Sequence, residues 1–167
     1  MSARAANLLG AHALVVADRM REAAGMELSS AAVLTALETF VDGASIDGLR
    51  RVLGLSHSGG VRIVNRLQDQ GLVAREPDPA DRRAIRLHLT ADGVREAHRL
   101  LAARQAALTP LLAGLGERER AALERLLERL LASVTASGDD ANRICRLCDP
   151  GICGHPARCP VTQAALR

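Results

Sequence analysis

The stretch CRLCDPGICGHPARC, residues 145 to 159, holds all four cysteines of the chain: Cys145, Cys148, Cys153 and Cys159. Four thiolates can close a tetrahedral shell around one Zn²⁺, or ligate the four irons of a [4Fe–4S] cluster. The spacing CxxCxxxxCxxxxxC suits either. Two cysteines three apart present both sulfurs from one tight turn, and Pro150, Gly151, Gly154 and Pro156 let the chain fold back. Cys159-Pro160 echoes the Cys-Pro that closes ferredoxin ligand runs. Both centres are doubly negative, so Arg143, Arg146 and Arg158 would balance either, and the two cofactors stay open. His155, one histidine among four cysteines, is read as standing outside the ligand set. The alternative is a redox switch of thiols without metal. A thiol oxidoreductase using Cys145 and Cys148 would need a strand-helix context, and here the cysteines follow a long helical stretch. A metal-linked module that binds protein or RNA is a third class.

The compartment bears on this chemistry. No run approaches the roughly 18 apolar residues of a membrane span. LLGAHALVVA near the start is interrupted by His12 and followed by the charged DRMRE, where a secretory signal would carry a small-residue cleavage site. The expected setting is cytoplasmic, where clustered cysteines ligate metal or act in redox more than they form structural disulfides. No GxxxxGK loop, GxSxG elbow or HExxH pair occurs, and His12, His57, His88 and His98 are scattered without spacing for a shared metal. The sequence is not that of an enzyme.

The elements that must position these residues are helical. At 167 residues the chain can bury a core without staples, and with Phe40 as its one aromatic residue that core is built from Leu, Val, Ile and Ala. The expectation is a mostly α fold. Residues 4 to 24 place Leu8, Ala11, Val15 and Val16 on one stripe. GMEL breaks this helix, Ser29 or Ser30 caps the next, and DGA stops it. Ser45 caps IDGLRRVL, Gly54 supplies a turn, and Ser56 caps a further helix ending near Gly71, which is the helix-turn-helix pattern. LVARE and AIRLHL, joined by PDPADRR, read as a β-hairpin. Thr90 caps a long helix that Pro110 should kink or divide. The last helix, 117 to 136, carries a broad leucine stripe, and SGDDAN reads as a polar linker to the cysteines. All 22 basic residues are arginine, an economy of GC-rich coding. Their distribution is informative. Residues 50 to 86 carry eight arginines against four acids, whereas residues 1 to 49 carry three against six, so the middle of the chain is a basic footprint of the kind that meets phosphate.

At LGLSHSGGVRIVNRLQDQGLVAREPDPADRRAIRLHLTADG, residues 53 to 93, the chain resembles the multiple-antibiotic-resistance regulator (MarR) family of dimeric winged helix-turn-helix transcription factors. The likeness lies in RLxxxGLV at the end of the recognition helix, DRR in the wing and LxLTxxG opening the next helix. It implies a winged helix-turn-helix with a two-stranded β wing and long N- and C-terminal dimerisation helices. The implied layout is 1–44 for dimerisation and support helices, 45–89 for the DNA-binding lobe, 90–136 for C-terminal dimerisation helices and 137–167 for the cysteine-rich tail. It further implies a homodimer on double-stranded DNA at the bacterial nucleoid, expected to repress because a dimer on a promoter blocks polymerase. The expected DNA-facing residues are Ser56, His57, Ser58, Arg62 and Arg66 on the recognition helix and Arg82 and Arg83 in the wing. Arg62 is expected on a base edge or phosphate, and the wing arginines are expected in the minor groove. Asp81 is expected to brace a wing arginine. Gly59 and Gly60 are expected to admit close backbone approach to DNA or leave their turn frayed. Many members bind aromatic acids as small-molecule ligands between lobe and dimer helices, and this chain has no ring-stacking residues for that mode.

Overall fold

The structure, a computed structural model, describes residues 2–81 and 83–166. It is mostly helical with one small sheet. Helix α1 (Ala3–Ala24) is capped by Ser2, whose hydroxyl accepts from the Ala5 N–H, and ends at left-handed Gly25. Helix α2 (Leu28–Thr39) is the centre of the molecule: every residue from Ser30 to Leu37 is buried. Its start corrects the sequence expectation. Glu27, not Ser29 or Ser30, stands at the N-cap, and both serines lie inside the helix. Burial of Leu28 against the core outweighs the local capping preference of the serines.

Helices α3 (Ile46–Leu53) and α4 (His57–Asp69) form the helix-turn-helix. Ser45 and Ser56 cap them through hydroxyls that accept from Gly48 and Gly59, both at 3.1 Å. The turn between them needs Gly54, at φ 65°, a conformation that costs other residues backbone energy. Strands β1 (Val73–Pro77) and β2 (Ile85–Leu89) pair antiparallel, Val73 opposite Leu89 and Pro77 opposite Ile85. Helix α5 (Ala91–Leu108) is capped by Thr90. Pro110 then divides the chain as expected: a 3₁₀ turn (Thr109–Leu112) separates α5 from α6 (Glu117–Ser133).

One core joins these elements. Leu34 and Leu37 of α2, Leu49 of α3, Val64 and Leu67 of α4, Leu87 of β2 and Ala97 of α5 are buried together. Truncating a side chain such as Leu34 to alanine would cost about 2–5 kcal/mol at such a site.

The residues after α6 depart most from expectation. SGDDAN is no linker: Ser137 caps α7 (Gly138–Cys145), its hydroxyl accepting from the Asp140 N–H at 3.1 Å. Two short helices follow, α8 (Pro150–Cys153) and α9 (Pro160–Ala165). Cys145, Cys159 and Val161 form a second buried cluster, flanked by Phe40, Ile144, Cys148 and Cys153. This segment is folded onto the rest of the protein: α7 packs on α3 and α9, and α9 packs on α6.

Candidate nucleic-acid interface and thiol cluster

Helix α4 has two faces. Gly60, Ile63, Val64 and Leu67 are buried, whereas Ser58, Arg62, Asn65 and Asp69 lie on the exposed opposite stripe. Arg62 makes no hydrogen bond or ion pair among the described residues, so its guanidinium is available. Ser56, His57 and Ser58 are exposed at the helix start. The hydroxyls of Ser56 and Ser58 lie 3.3 Å apart, and His57 Nδ1 is 3.3 Å from Asp47 Oδ1 on α3. The Arg50 guanidinium and then the His57 ring, both bonded to Asp47, hold its carboxyl below the usual carboxylate range.

The remaining expected contacts stand differently. Arg66 sits on the flank of α4 and donates to Glu27 at 2.8 Å, an ion pair to the start of α2. Arg83 is exposed at the wing tip, its backbone N–H donating to Asp81 Oδ1 at 2.9 Å. Asp81 therefore braces a wing arginine through the main chain. Asp78 pairs with an arginine side chain: it accepts from Arg86 Nε at 2.8 Å and is held below its ordinary range by that bond. Arg82 lies outside the described residues. Asn65 was missed by the sequence reading, although it stands one turn from Arg62 on the same stripe. Arg75 of β1 donates to its Oδ1 at 2.5 Å, which ties the wing to the recognition helix.

The glycine pair has a structural explanation. A Cβ on Gly60 would lie 3.4 Å from Arg50 Cβ and 3.7 Å from Ile46 Cγ2, so this glycine lets α3 and α4 cross closely. Gly59 faces the Ser56 hydroxyl at the cap. Both glycines lie within α4, whose first turn is formed.

The four cysteines come together in two pairs. Cys145 ends α7, and Cys148 follows in a turn closed by its N–H donating to the Cys145 carbonyl at 2.7 Å. Cys153 ends α8 and Cys159 stands at the N-cap of α9, their sulfurs 3.5 Å apart. Hydrogen bonding to Cys148, burial and the other sulfurs push the Cys145 thiol up. The same hydrogen bond brings Cys148 down to about 6. Burial, then the Cys159 sulfur, pushes Cys153 up to about 12. Burial also opposes ionisation of Cys159, but hydrogen bonds from Thr162 and Cys153 outweigh it and lower that thiol. The Arg104 guanidinium of α5 favours the charged forms of Cys148 and Cys153, and its buried Nε has no hydrogen-bond partner among the described residues. As the side chains stand, no three His, Cys, Asp or Glu groups among the described residues are gathered closely enough to hold one ion. His155 is turned to other work: its Nδ1 is 2.9 Å from the Thr162 hydroxyl, and its ring meets Phe40 edge-on at 5.4 Å.

A helix-turn-helix backed by a two-stranded wing and flanked by long helices defines a winged helix-turn-helix protein. The sequence model of the MarR family matches residues 24–84, from the end of α1 to the wing. A protein of Thauera aromatica described as a transcriptional regulatory protein for the hcr operon is 35% identical over 88 residues, 53% of this chain and 53% of that protein. The matched stretch spans about half the length of that relative. The crystal structure of YusO from Bacillus subtilis is 25% identical, with 78% of this chain and 97% of that chain covered and a TM-score of 0.65. Apo wild-type MarR from E. coli shares the fold at 23% identity and a TM-score of 0.66, over 75% of this chain and 96% of that one. Over residues 24–84 the chain thus carries the sequence pattern of the MarR family, and its fold is that of the solved MarR-type structures.

Proposed function

We propose that this chain is a sequence-specific DNA-binding transcriptional regulator that acts as a homodimer and represses by occupying promoter DNA. One observation carries the reading: α4 buries one face in the core and presents Ser58, Arg62 and Asn65 on the other. A guanidinium and an amide are the side chains that pair bidentately with guanine and adenine in the major groove. Ser56 and His57 at the helix start would meet phosphate, as would Arg83 on the wing. Arg66 would have to leave Glu27 to do so.

Dimerisation is supported by apolar surface without cover in the protomer. Leu8, Leu9, Leu14 and Val15 of α1 and Leu126, Leu127, Leu130 and Leu131 of α6 are exposed, more than scattered surface leucines would give. The four cysteines are read as a tetrathiolate site for Zn²⁺ or a [4Fe–4S] cluster that senses the signal. A cavity of about 520 Å³ between α1, α2 and Leu147, with His12 and Arg146 in its wall, is where a small-molecule ligand would enter. The setting is the cytoplasm, at the nucleoid.

The test is selection of duplexes from a randomised library, followed by gel shift across salt. Arg62→Ala is expected to weaken binding to the selected duplex by about 1–3 kcal/mol, roughly five- to 150-fold, and relax the preference at one base position. Equal affinity for every duplex, or selection unchanged by Arg62→Ala, would refute the reading.

A further inference from the structure

We infer that the four cysteines hold one Zn²⁺ as a clasp between the DNA-reading lobe and helix α6. The inference rests on the reading of these cysteines as a metal site, and commits it to zinc.

The spacing of the sulfurs favours zinc over a cluster. Four thiolates at about 2.3 Å from one ion stand about 3.8 Å from each other along the edges of a tetrahedron. Cys153 and Cys159 are already at 3.5 Å, and all four cysteines border one buried cluster, so that binding needs only the Cys145 and Cys148 side chains to close on that pair. In a [4Fe–4S] cluster each thiolate takes a different iron, which holds the ligand sulfurs well beyond contact. Arg104 adds a charge argument: it lines a small cavity together with Leu147, the residue before Cys148, and its buried Nε has no hydrogen-bond partner among the described residues. Zn²⁺ takes the place of the thiol protons, which leave to solvent, and no electron moves.

The two pairs meet at one buried cluster but are anchored to different parts of the protein. Cys145 and Cys148 bracket a segment fastened to the lobe. The Thr35 hydroxyl of α2 donates to the Arg146 carbonyl at 2.6 Å, Leu147 packs on the main core, and Arg143 rests over Gly54 in the helix-turn-helix turn. Cys153 and Cys159 lie at the ends of α8 and α9, and α9 is the one element against which α6 packs extensively among the described residues. One ion on all four sulfurs joins the pairs, and through them fixes α3 and α4 relative to α6. A dimer that reads two half-sites about 34 Å apart depends on that spacing.

Metal analysis of the full-length protein, with hydrogen exchange and gel shift before and after EDTA, tests the clasp. The expected result is a colourless protein with one zinc per chain. Chelation should raise exchange in α7 and α9 while α2 and α5 stay protected, and lower affinity for the selected duplex about tenfold. Zn²⁺ alone should restore both. Cys153→Ser should lose zinc and behave like the chelated protein, which keeps the inference testable by chelation should that variant misfold. Iron with acid-labile sulfide would overturn it. So would a metal-free chain in which peroxide closes a Cys153–Cys159 disulfide, or bound zinc whose removal changes neither exchange nor affinity. A zinc-loaded chain that selects no duplex would instead sink the DNA-binding proposal and leave the zinc site standing.

Discussion

Gly93, the last residue of the LTADG motif, gives a sharp test of how wing and long helix are joined. It lies buried in the first turn of α5, and a Cβ added there would overlap the Leu72 carbonyl oxygen, with Leu89 Cβ at 3.3 Å. That carbonyl accepts from the Thr90 N–H at 3.1 Å, and the Thr90 hydroxyl donates to the Gly71 carbonyl at 2.6 Å while accepting from the Gly93 N–H at 3.0 Å. Because Leu72 is held on the other side by its own N–H to the Leu67 carbonyl at 2.9 Å, the start of α5 must withdraw. Gly93→Ala then loses about 1 kcal/mol of hydrogen bonding and incurs about 1–3 kcal/mol of overpacking. The better helix propensity of alanine returns about 1 kcal/mol. The net is a loss of about 1–3 kcal/mol, which in a chain of this size lowers Tm by about 2–12 °C. Thermal unfolding followed by circular dichroism at one fixed protein concentration measures it, since a dimer's Tm depends on concentration. A Tm within about 1 °C of the parent would show that the Leu72–Gly93 approach is not what closes this junction.

Arg83→Ala should weaken binding to all duplexes alike and reduce the slope of log affinity against log salt by about 1, because a wing contact to phosphate carries no base preference; titration at three salt concentrations decides it. Leu127→Glu, on the exposed face of α6, should give monomers by light scattering at micromolar concentration with helical content retained, since Leu127 lies outside the protomer's core; a persistent dimer would exclude this face from the interface. Glu96 accepts from Arg99, which also holds the Ala24 carbonyl at 2.8 Å, and the Arg99 hydrogen bond keeps its carboxyl below the ordinary 4.5. A depressed carboxylate contributes stability that is complete above its unfolded value and lost as pH falls through the lowered one. Urea midpoints should therefore drop between pH 5 and pH 3, and Glu96→Gln should shrink that drop; an unchanged drop would place the acid sensitivity elsewhere.

The helix-turn-helix was legible because its signals are local. Ser45, Gly54 and Ser56 mark caps and turn within a dozen residues, and the period of Ile63, Val64 and Leu67 identifies the buried face. Asn65 was equally legible by its spacing from Arg62, and charge drew the reading to Arg66 instead. The pairing of Arg66 with Glu27, 39 residues away, leaves no local trace. SGDDAN was misread on composition, although Ser137 followed by Asp140 is a capping pattern: Asp140 Oδ2 accepts from the Ser137 hydroxyl at 2.8 Å and the Ala136 N–H at 3.2 Å. What no local pattern could show is that the cysteine segment folds back on α2. The Thr35 to Arg146 bond spans 111 residues, and a buried serine or threonine inside a helix gives no hint of its distant partner.

The two buried clusters bear on why a sensor would stand at this place. The main core closes through α2, α3, α4, α5 and the wing, and among the described residues after α6 it takes Leu147 alone. The second cluster is small, built on Cys145, Cys159 and Val161. A satellite of that size can open at a fraction of the global unfolding free energy, which is the regime from which switching elements are drawn. Its opening would leave the recognition helix folded, because none of the residues that bury the back of α4 belongs to it. It would loosen α6, because among the described residues α9 is the element on which α6 packs extensively. On the proposed reading, a signal received there would act on how two intact copies of α4 are spaced, and the Thr35 hydroxyl that fastens the Arg146 carbonyl to the lobe is the point where that motion would be resisted.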